Sequence, residues 1–503
     1  MALISVTPPP GVVTNGTDYQ NAGRWVDSNL IRFADGILKP MGGWDLLKSQ
    51  ALDGAIIGLY AYNDNNGNPV LAVGTRNKVY TLYNSVWTDI TPSSSYQPPS
   101  GADPLGFGAY NYGVEDYGDA RSQSGLNFNA NSYSFDNWGQ ELVWVASSDG
   151  KIFKWNPNPG GTADTTSSLI SNAPTGVNAI VVSNERHLVA IGSNADPRRI
   201  SFSDREDYTS WTSTSLNSAG FLQIPSGGRA LSGVIYKDDI LIFTDTGLGA
   251  MRFIGSPLVY SIRDAGTNCK AISTRSIVSA GNFVAWLGER SVFVYDGAVK
   301  EIPCPVQDYL FSNLNESYKK VIAGGVNSQF NEIVWFFPSG ESQQNDKYIK
   351  WNTLENVWDV GTLSRGAYID QGVFSYPIAG DSDGFVYYHE KGNLFNSKNL
   401  GTAKPTATSG PIELSQGNRY IHATQVIPDS EANTLPGVTL SFKGRFTPLG
   451  SETDFGSVTF DADGYSDVRF STRSMTMEVT GDSNQDFAVG KIRLDVTQGG
   501  SRR

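Results

Sequence analysis

A chain of 503 residues with a formal net charge of −12 is longer than one ordinary core and too acidic for a surface that grips nucleic acid, because such surfaces neutralise phosphates with Lys and Arg. Its 54 glycines and 24 prolines suit many short strands joined by turns and leave little room for long helices. The two cysteines, Cys269 and Cys304, are too few for a disulfide framework and have no metal-ligand spacing, and no apolar run reaches the ~20 residues of a membrane helix.

The opening Met1-Ala-Leu-Ile-Ser-Val6 lacks a basic n-region and a full apolar h-region, so a chain made in the cytosol is expected. Thr7-Pro-Pro-Pro10 reads as extended and as a contact for a neighbouring subunit. Residues 1–45 form an arm followed by a hairpin that turns at Asp35-Gly36, ends at Gly42-Gly-Trp44 and enters or closes a larger sheet. From 46 to about 400 the unit that recurs is a strand pair with an aromatic on its outgoing strand, at intervals of roughly 40 to 55 residues, the spacing of propeller blades. Tyr133 to Trp155 shows it best: Leu142 to Val145 is a buried-strand run, Asp149-Gly150 a two-residue turn, and Lys151 to Trp155 the return. Similar sets run from Ile56 to Trp87, Asn178 to Trp211, Leu231 to Ile254, Ser276 to Tyr295 and Val321 to Trp358. A last partial set, Val373 to Pro377 and Phe385 to Tyr388, calls for completion by an N-terminal strand. The expected fold is all-β, a propeller of about six or seven blades followed by an antiparallel, sandwich-like β domain over 401–503.

Three segments depart from this texture. Residues 92–131 are rich in Ser, Pro, Gly and Tyr and read as a long inserted loop that contacts a subunit or narrows a channel; excising Tyr96 to Asp116 is expected to leave the monomer folded. Val306 to Tyr318 is the best helical candidate, with Asp and Asn available for capping. Lys404 to Gly410 reads as a linker, after which Val438, Leu440 and Phe442, then Met475, Met477 and Val479, then Ile492, Leu494 and Val496 alternate with polar residues as half-buried strands do.

No constellation carries chemistry. His187, His389 and His422 each stand alone in strand patterns, the cysteines read as buried small residues, and Gly-x-Ser-x-Gly, Walker, His-Glu-x-x-His and Asp-box motifs are all missing. Asp64 to Gly67 and Asp461 to Asp467 have calcium-loop composition without EF-hand spacing, and hairpin turns explain both. The tryptophans at 87, 144, 155, 211, 286, 335, 351 and 358 fall in or just after strands, where a role between blades outweighs sugar stacking. The expectation is therefore a chain that is not an enzyme, with no catalytic residue, cofactor site or metal site.

Phe135-Asp-Asn-Trp-Gly-Gln-Glu-Leu-Val143, Asp196-Pro-Arg-Arg-Ile-Ser-Phe-Ser-Asp204 with Trp211 and Asn217-Ser-Ala-Gly220, and Asn282-Phe-Val-Ala-Trp-Leu-Gly288 with Val294-Tyr-Asp-Gly297 carry a family resemblance. Gly23 to Gly36, Gly42-Gly-Trp44 and the ending Lys491 to Val496 with Gly499-Gly500 and Arg502-Arg503 extend it over most of the chain. These stretches resemble the tail hub, nozzle or packaged-DNA-stabilisation proteins of short-tailed bacteriophages. The resemblance implies a virion structural protein, made in the host cytoplasm, that forms a hexameric ring with a β-propeller in each subunit. That ring would lie below the portal and the adaptor (the head-to-tail connector), carry a tail fibre or needle, and pass DNA through its lumen during ejection without sequence-specific binding. An acidic lumen would let a duplex slide. The competing reading is a tail propeller that binds or depolymerises host glycan.

Overall fold

The computed structural model describes residues 2–98, 131–193, 196–393, 403–413, 419–430, 437–447, 450–459, 464–482 and 486–500. Seven four-stranded antiparallel sheets follow one another along the chain, and each is a meander whose first strand lies innermost. The innermost strands are Ile56–Asn63, Tyr133–Trp138, Ala179–Val182, Ala230–Tyr236, Val278–Ser279, Ala323–Asn327 and Ala367–Ile369. Each touches the next, and the seventh touches the first, so the protein is a closed seven-bladed β-propeller.

Blade 7 is the last three strands of that run, Ala367–Ile369, Ile378–Gly380 and Val386–His389, completed on its outer edge by Trp44–Leu46. The expected closure by an N-terminal strand is therefore present, beginning at Trp44, where the predicted hairpin ends. Residues 373–376 of the expected strand 373–377 are bends instead, half-buried or exposed; burial begins at Pro377 and the strand at Ile378. The outermost strands of blades 2, 3 and 4, Ser168–Leu169, Gly220–Gln223 and Val259–Thr267, carry too little apolar alternation to stand out in the sequence.

The Asp149-Gly150 hairpin is looser than a two-residue turn, since the last paired residues are Val145 and Ile152. Ser147 N donates to Ser132 O at 2.9 Å and Ser148 N to Asn131 Oδ1 at 3.2 Å, so the chain entering the blade holds the loop open. Second strands carry the blade-filling aromatics. Trp144, Trp286 and Trp335 are fully buried on the second strands of blades 2, 5 and 6, and their indole N–H groups donate to Ser167 Oγ, Cys269 O and Ser276 O at 3.0, 2.7 and 2.9 Å. Each ring thus fills the wedge between blades and keeps its one polar atom satisfied.

Beyond the propeller, two sheets face each other as a sandwich. One contains Val438–Arg445, Thr453–Thr459 and Ser474–Gly481; the other contains Ile421–Ser430, Ser466–Thr472 and Val489–Gln498. The alternation read from the sequence holds: Val438, Leu440, Phe442, Met475, Met477, Val479, Ile492, Leu494 and Val496 are all buried. The amino-terminal segment is woven into both sheets. Trp25–Asn29 joins the first, Ala2–Ser5 pairs with Val489–Gln498, and the Ile31–Ala34/Ile37–Pro40 hairpin extends the second. The predicted linker at Lys404 is also sheet: Thr406–Ser409 bridges Trp25–Asn29 and Ser474–Gly481, with Ala407 completely buried. Four small residues with one apolar side chain look like a spacer until the partner strands on both sides are known. The Thr7-Pro-Pro-Pro10 segment lies along its own chain, with Ile492 N donating to Thr7 Oγ1 at 2.6 Å.

The helical expectation is met by Gln307–Asn313, but Val306 caps it without a side-chain hydrogen bond, and the Asn cap belongs to the following 3-10 turn, where Asn315 accepts from Ser317 N. In the long insertion, residues 99–130 lie outside the described residues. Its first part does not behave as a loop: Tyr96 is buried edge-on against Trp144 and Phe153, with its hydroxyl 2.9 Å from that of Tyr133. An excision beginning at Tyr96 removes part of the blade 1–blade 2 core, which corrects the expectation of a folded product.

Sandwich and propeller share one apolar core through blades 5 and 6, in which Trp358 stacks on both Trp335 and Trp351 at centroid distances of 6.2 and 5.7 Å. The outer strand of blade 6, Val357–Thr362, would otherwise be a bare edge. Ser28 Oγ donates to Val360 O and accepts from Val360 N, and Asn29 Oδ1 accepts from Thr362 N. Side chains of the amino-terminal strand thereby satisfy the edge as a neighbouring strand would.

At the same seam five charged side chains are almost wholly buried. Arg32 donates from Nε and Nη2 to Glu332 at 2.6 and 2.8 Å and from Nη2 to Glu390 at 2.7 Å. Lys350 lies 3.0 Å from Glu332 and 3.3 Å from Asp359. Two cations against three carboxylates leave one negative charge in excess. Asp359 is the weakest-held, since its Oδ1 has no partner among the described residues. Burial raises its pKa above the ordinary range, whereas Lys350 and Arg32 hold Glu332 below it against the pull of burial. Because the native state holds the Asp359 proton more tightly than the unfolded chain, stability is lost as pH rises from the ordinary carboxylate range through the raised folded value. Asp359→Asn, which fixes the uncharged form, should gain stability relative to the parent at about pH 8 and little at about pH 5 in urea unfolding; an equal effect at both would contradict this. Arg32→Met, which leaves Glu390 buried without a cation and Glu332 with Lys350 alone, should cost about 3–5 kcal/mol by the same measurement.

Candidate functional site

The innermost strands of a propeller must diverge around its axis, and here they leave a cavity of about 220 Å³ at the end where the chain enters each of them. All seven blades contribute, among them Leu59, Ser134, Ala179, Ser232, Gly324 and Ala367. The wall is close-fitting because small residues stand where strands converge. A Cβ at Gly366, which lines the cavity, would collide with the backbone carbonyl of Ile56, and one at Gly74, on the second strand of blade 1, would meet the ring of the cavity-lining Tyr133. Arg275, on the turn leading into blade 5, reaches across blade 6 and donates from Nη2 to Gly366 O at the start of blade 7. Burial pulls its guanidinium down to about 10, which leaves it cationic at neutral pH.

The residues weighed in the sequence do not come together. His187 is buried with Nδ1 2.8 Å from Ser203 O. His389 accepts from Arg365 Nε at 2.9 Å and stacks on Trp44, so burial and the neighbouring guanidinium hold it neutral. His422 pairs with Ser471 Oγ at 2.5 Å in the sandwich. Both cysteines are buried thiols, and burial pushes Cys304 up to about 12. No group of three His, Cys, Asp or Glu side chains among the described residues could hold a metal. Asp64 shows why one calcium-like turn is a turn: its carboxylate accepts from Asn66 N, Asn68 N, Asn68 Nδ2 and Tyr83 Oη at 2.8–2.9 Å. Residues 461–463 of the other lie outside the described residues. Trp144, Trp155, Trp286, Trp335 and Trp358 are buried, which fits the role between blades.

Sequence reading missed Arg275 altogether. A lone arginine in Ser-Thr-Arg-Ser276 has no motif, and only ring closure brings it beside Gly366.

A second feature is the asymmetry of the rim. The outer edges of blades 6 and 7 are covered by amino-terminal strands, whereas the outer strands of blades 1 to 4 face outward. Val86, Leu169, Phe221, Ile254 and Leu258 are about half exposed or more along that stretch, the last two at the hairpin of blade 4. No helix among the described residues is long and apolar enough to cross a membrane.

Replacing Gly366 by Ala should cost roughly 1–3 kcal/mol, since either Ile56 or the blade 7 strand must move; a variant as stable as the parent in urea unfolding would show that the axis can relax.

No protein-family model and no curated protein matches the chain. Among solved structures it is similar to a catalytically inactive virginiamycin B lyase from Staphylococcus aureus, crystallised with quinupristin, at 10% identity and a TM-score of 0.39 over 68% of this chain and 98% of that one. It is similar also to YCF48 from Cyanidioschyzon merolae, at 9% identity and a TM-score of 0.38 over 69% of this chain and 99% of that one. Likeness at this level carries no reading of activity or ligand.

Proposed function

We propose that this chain is a structural subunit of a bacteriophage tail, forming the hub or nozzle ring that continues the DNA exit channel below portal and adaptor and helps to retain packaged DNA. The reading begins from the resemblance of the quoted sequence stretches, and the observation in the fold that supports it is the divided rim. One side of the propeller is built into the sandwich; the other presents four outer strands with exposed apolar side chains. A subunit with two unlike sides suits heterologous contacts, in which one patch meets a different patch on the next copy and the ring closes. Exposed edge strands left without a partner invite uncontrolled pairing, and a neighbouring subunit would cover them. In this reading the chain has scaffold and conduit roles and no catalytic one.

Mass photometry and negative-stain imaging of the chain, alone and mixed with portal and adaptor proteins, test the proposal. A six-fold ring with a central hole, alone or on the adaptor, is the expected result; a stable monomer that ignores the adaptor and binds host glycan would overturn it. Phe221→Glu combined with Ile254→Glu should leave the monomer's unfolding midpoint nearly unchanged and abolish the ring, because both side chains are half exposed and a buried carboxylate at a subunit contact is strongly unfavourable.

A further inference from the structure

Arg275 is the one charged side chain lining the axial cavity among the described residues. Its Nη2 is engaged by Gly366 O, and among the described residues its Nε, sealed from solvent, has no partner and no carboxylate pairs with it. A guanidinium has five donors in a fixed fork, and burying one with so few acceptors is costly. Arg32 and Lys350, also buried, each have two carboxylates, and Arg365, which has none, lies over the Trp44 and Tyr387 rings and donates to His389 and Ser364 O. Beside Arg275 no matching carboxylate stands among the described residues, and the side chain keeps part of its surface open to the cavity. The Ser232 and Thr274 hydroxyls line the same space and make no hydrogen bond to a described residue.

We propose that the axial cavity is a binding site for a small oxyanion, held by the Arg275 guanidinium with the Ser232 and Thr274 hydroxyls as additional donors. Charge-assisted hydrogen bonds from guanidinium to an oxyanion are among the strongest available to a protein, and the low-dielectric wall strengthens them. The size follows from the volume, since about 220 Å³ lies below the ~300 Å³ at which pockets begin to take drug-sized molecules. A tetrahedral anion such as inorganic phosphate fits with a few waters, whereas a nucleotide does not. An anion there would bridge the turn before blade 5 to the wall contributed by blade 4, and so would tighten the ring of innermost strands. This site is independent of the role proposed for the chain in a virion.

Isothermal titration of the full chain with inorganic phosphate in a chloride-free buffer near neutral pH tests it, with sulfate, acetate and AMP as parallel ligands. The expected result is saturable one-site binding of phosphate or sulfate, weakened about 10-fold or more in Arg275→Gln. Phosphate should also raise the thermal midpoint of the parent and not that of the variant. Should Arg275→Gln fail to fold, Ser232→Leu, which narrows the cavity and leaves the arginine in place, should lose phosphate binding. Acetate binding without phosphate or sulfate would overturn the tetrahedral assignment, and AMP binding as tightly as phosphate would overturn the size limit. No saturable binding of any of these anions by the folded parent, or equal binding by Arg275→Gln, would overturn the site itself.

Discussion

The structure depends on the buried pairing of Arg32 with Glu332 and Glu390. These three residues come from the amino-terminal hairpin, the second strand of blade 6 and the end of blade 7, so one guanidinium joins the sandwich to both blades at the point where the ring closes. Ion pairs removed from water contribute little net free energy compared with an apolar filling of the same space. What they contribute is selectivity among arrangements: a hairpin displaced by one residue along its sheet would leave Glu390 buried without a cation and Glu332 with Lys350 alone, and that penalty is far larger than the loss of one apolar contact. The tryptophan stack formed by Trp335, Trp351 and Trp358 supplies apolar burial at the same seam but is tolerant of small slips. Charge therefore sets the register, and the aromatic core fills around it.

Much of the architecture was legible because it rests on local patterns. Strands such as Leu142 to Val145 and Ile240 to Thr244 are apolar on both faces, as expected for the middle of a blade enclosed by its neighbours, and the sandwich strands alternate because one face meets the core and the other meets water. The outer strands were the illegible part. Ser168-Leu169 and Gly220 to Gln223 face outward and have no pattern beyond compatibility with an edge. Thr406 to Ser409 was illegible for the opposite reason: it is a strand because two partners hold it, and its own residues are neutral. The helix cap was misplaced because tertiary contacts, with Asn15 donating to Cys304 O, fix the start of Gln307–Asn313 in place of a side-chain cap.

The axial cavity was beyond sequence reasoning altogether. Its wall is assembled from short pieces of seven blades, and no single piece has a motif length. Gly366 is required there by a close approach between residues far apart in the chain, to the backbone carbonyl of Ile56. A reading that counts strands can predict that an axis exists, but the side chains that face it are chosen by the stagger of each blade.

The closure of blade 7 by Trp44–Leu46 has a consequence for how the protein is made. Tyr387 pairs with Leu46, so the last blade cannot be completed until some 340 residues after its outer strand have left the ribosome. At about 5–20 residues per second that interval is on the order of 20 to 70 s, during which Trp44–Leu46 has no native partner strand and the early blades form an open arc. Pairings of such long sequence separation are also slow to form once all residues are present. The Thr7-Pro-Pro-Pro10 stretch, which cannot donate backbone hydrogen bonds at its prolines, and the charged Arg32 and Lys39 make the waiting segment a poor template for adventitious strand addition. The same residues that fix the finished ring thus keep the nascent chain out of intermolecular sheets until its closing partner is synthesised.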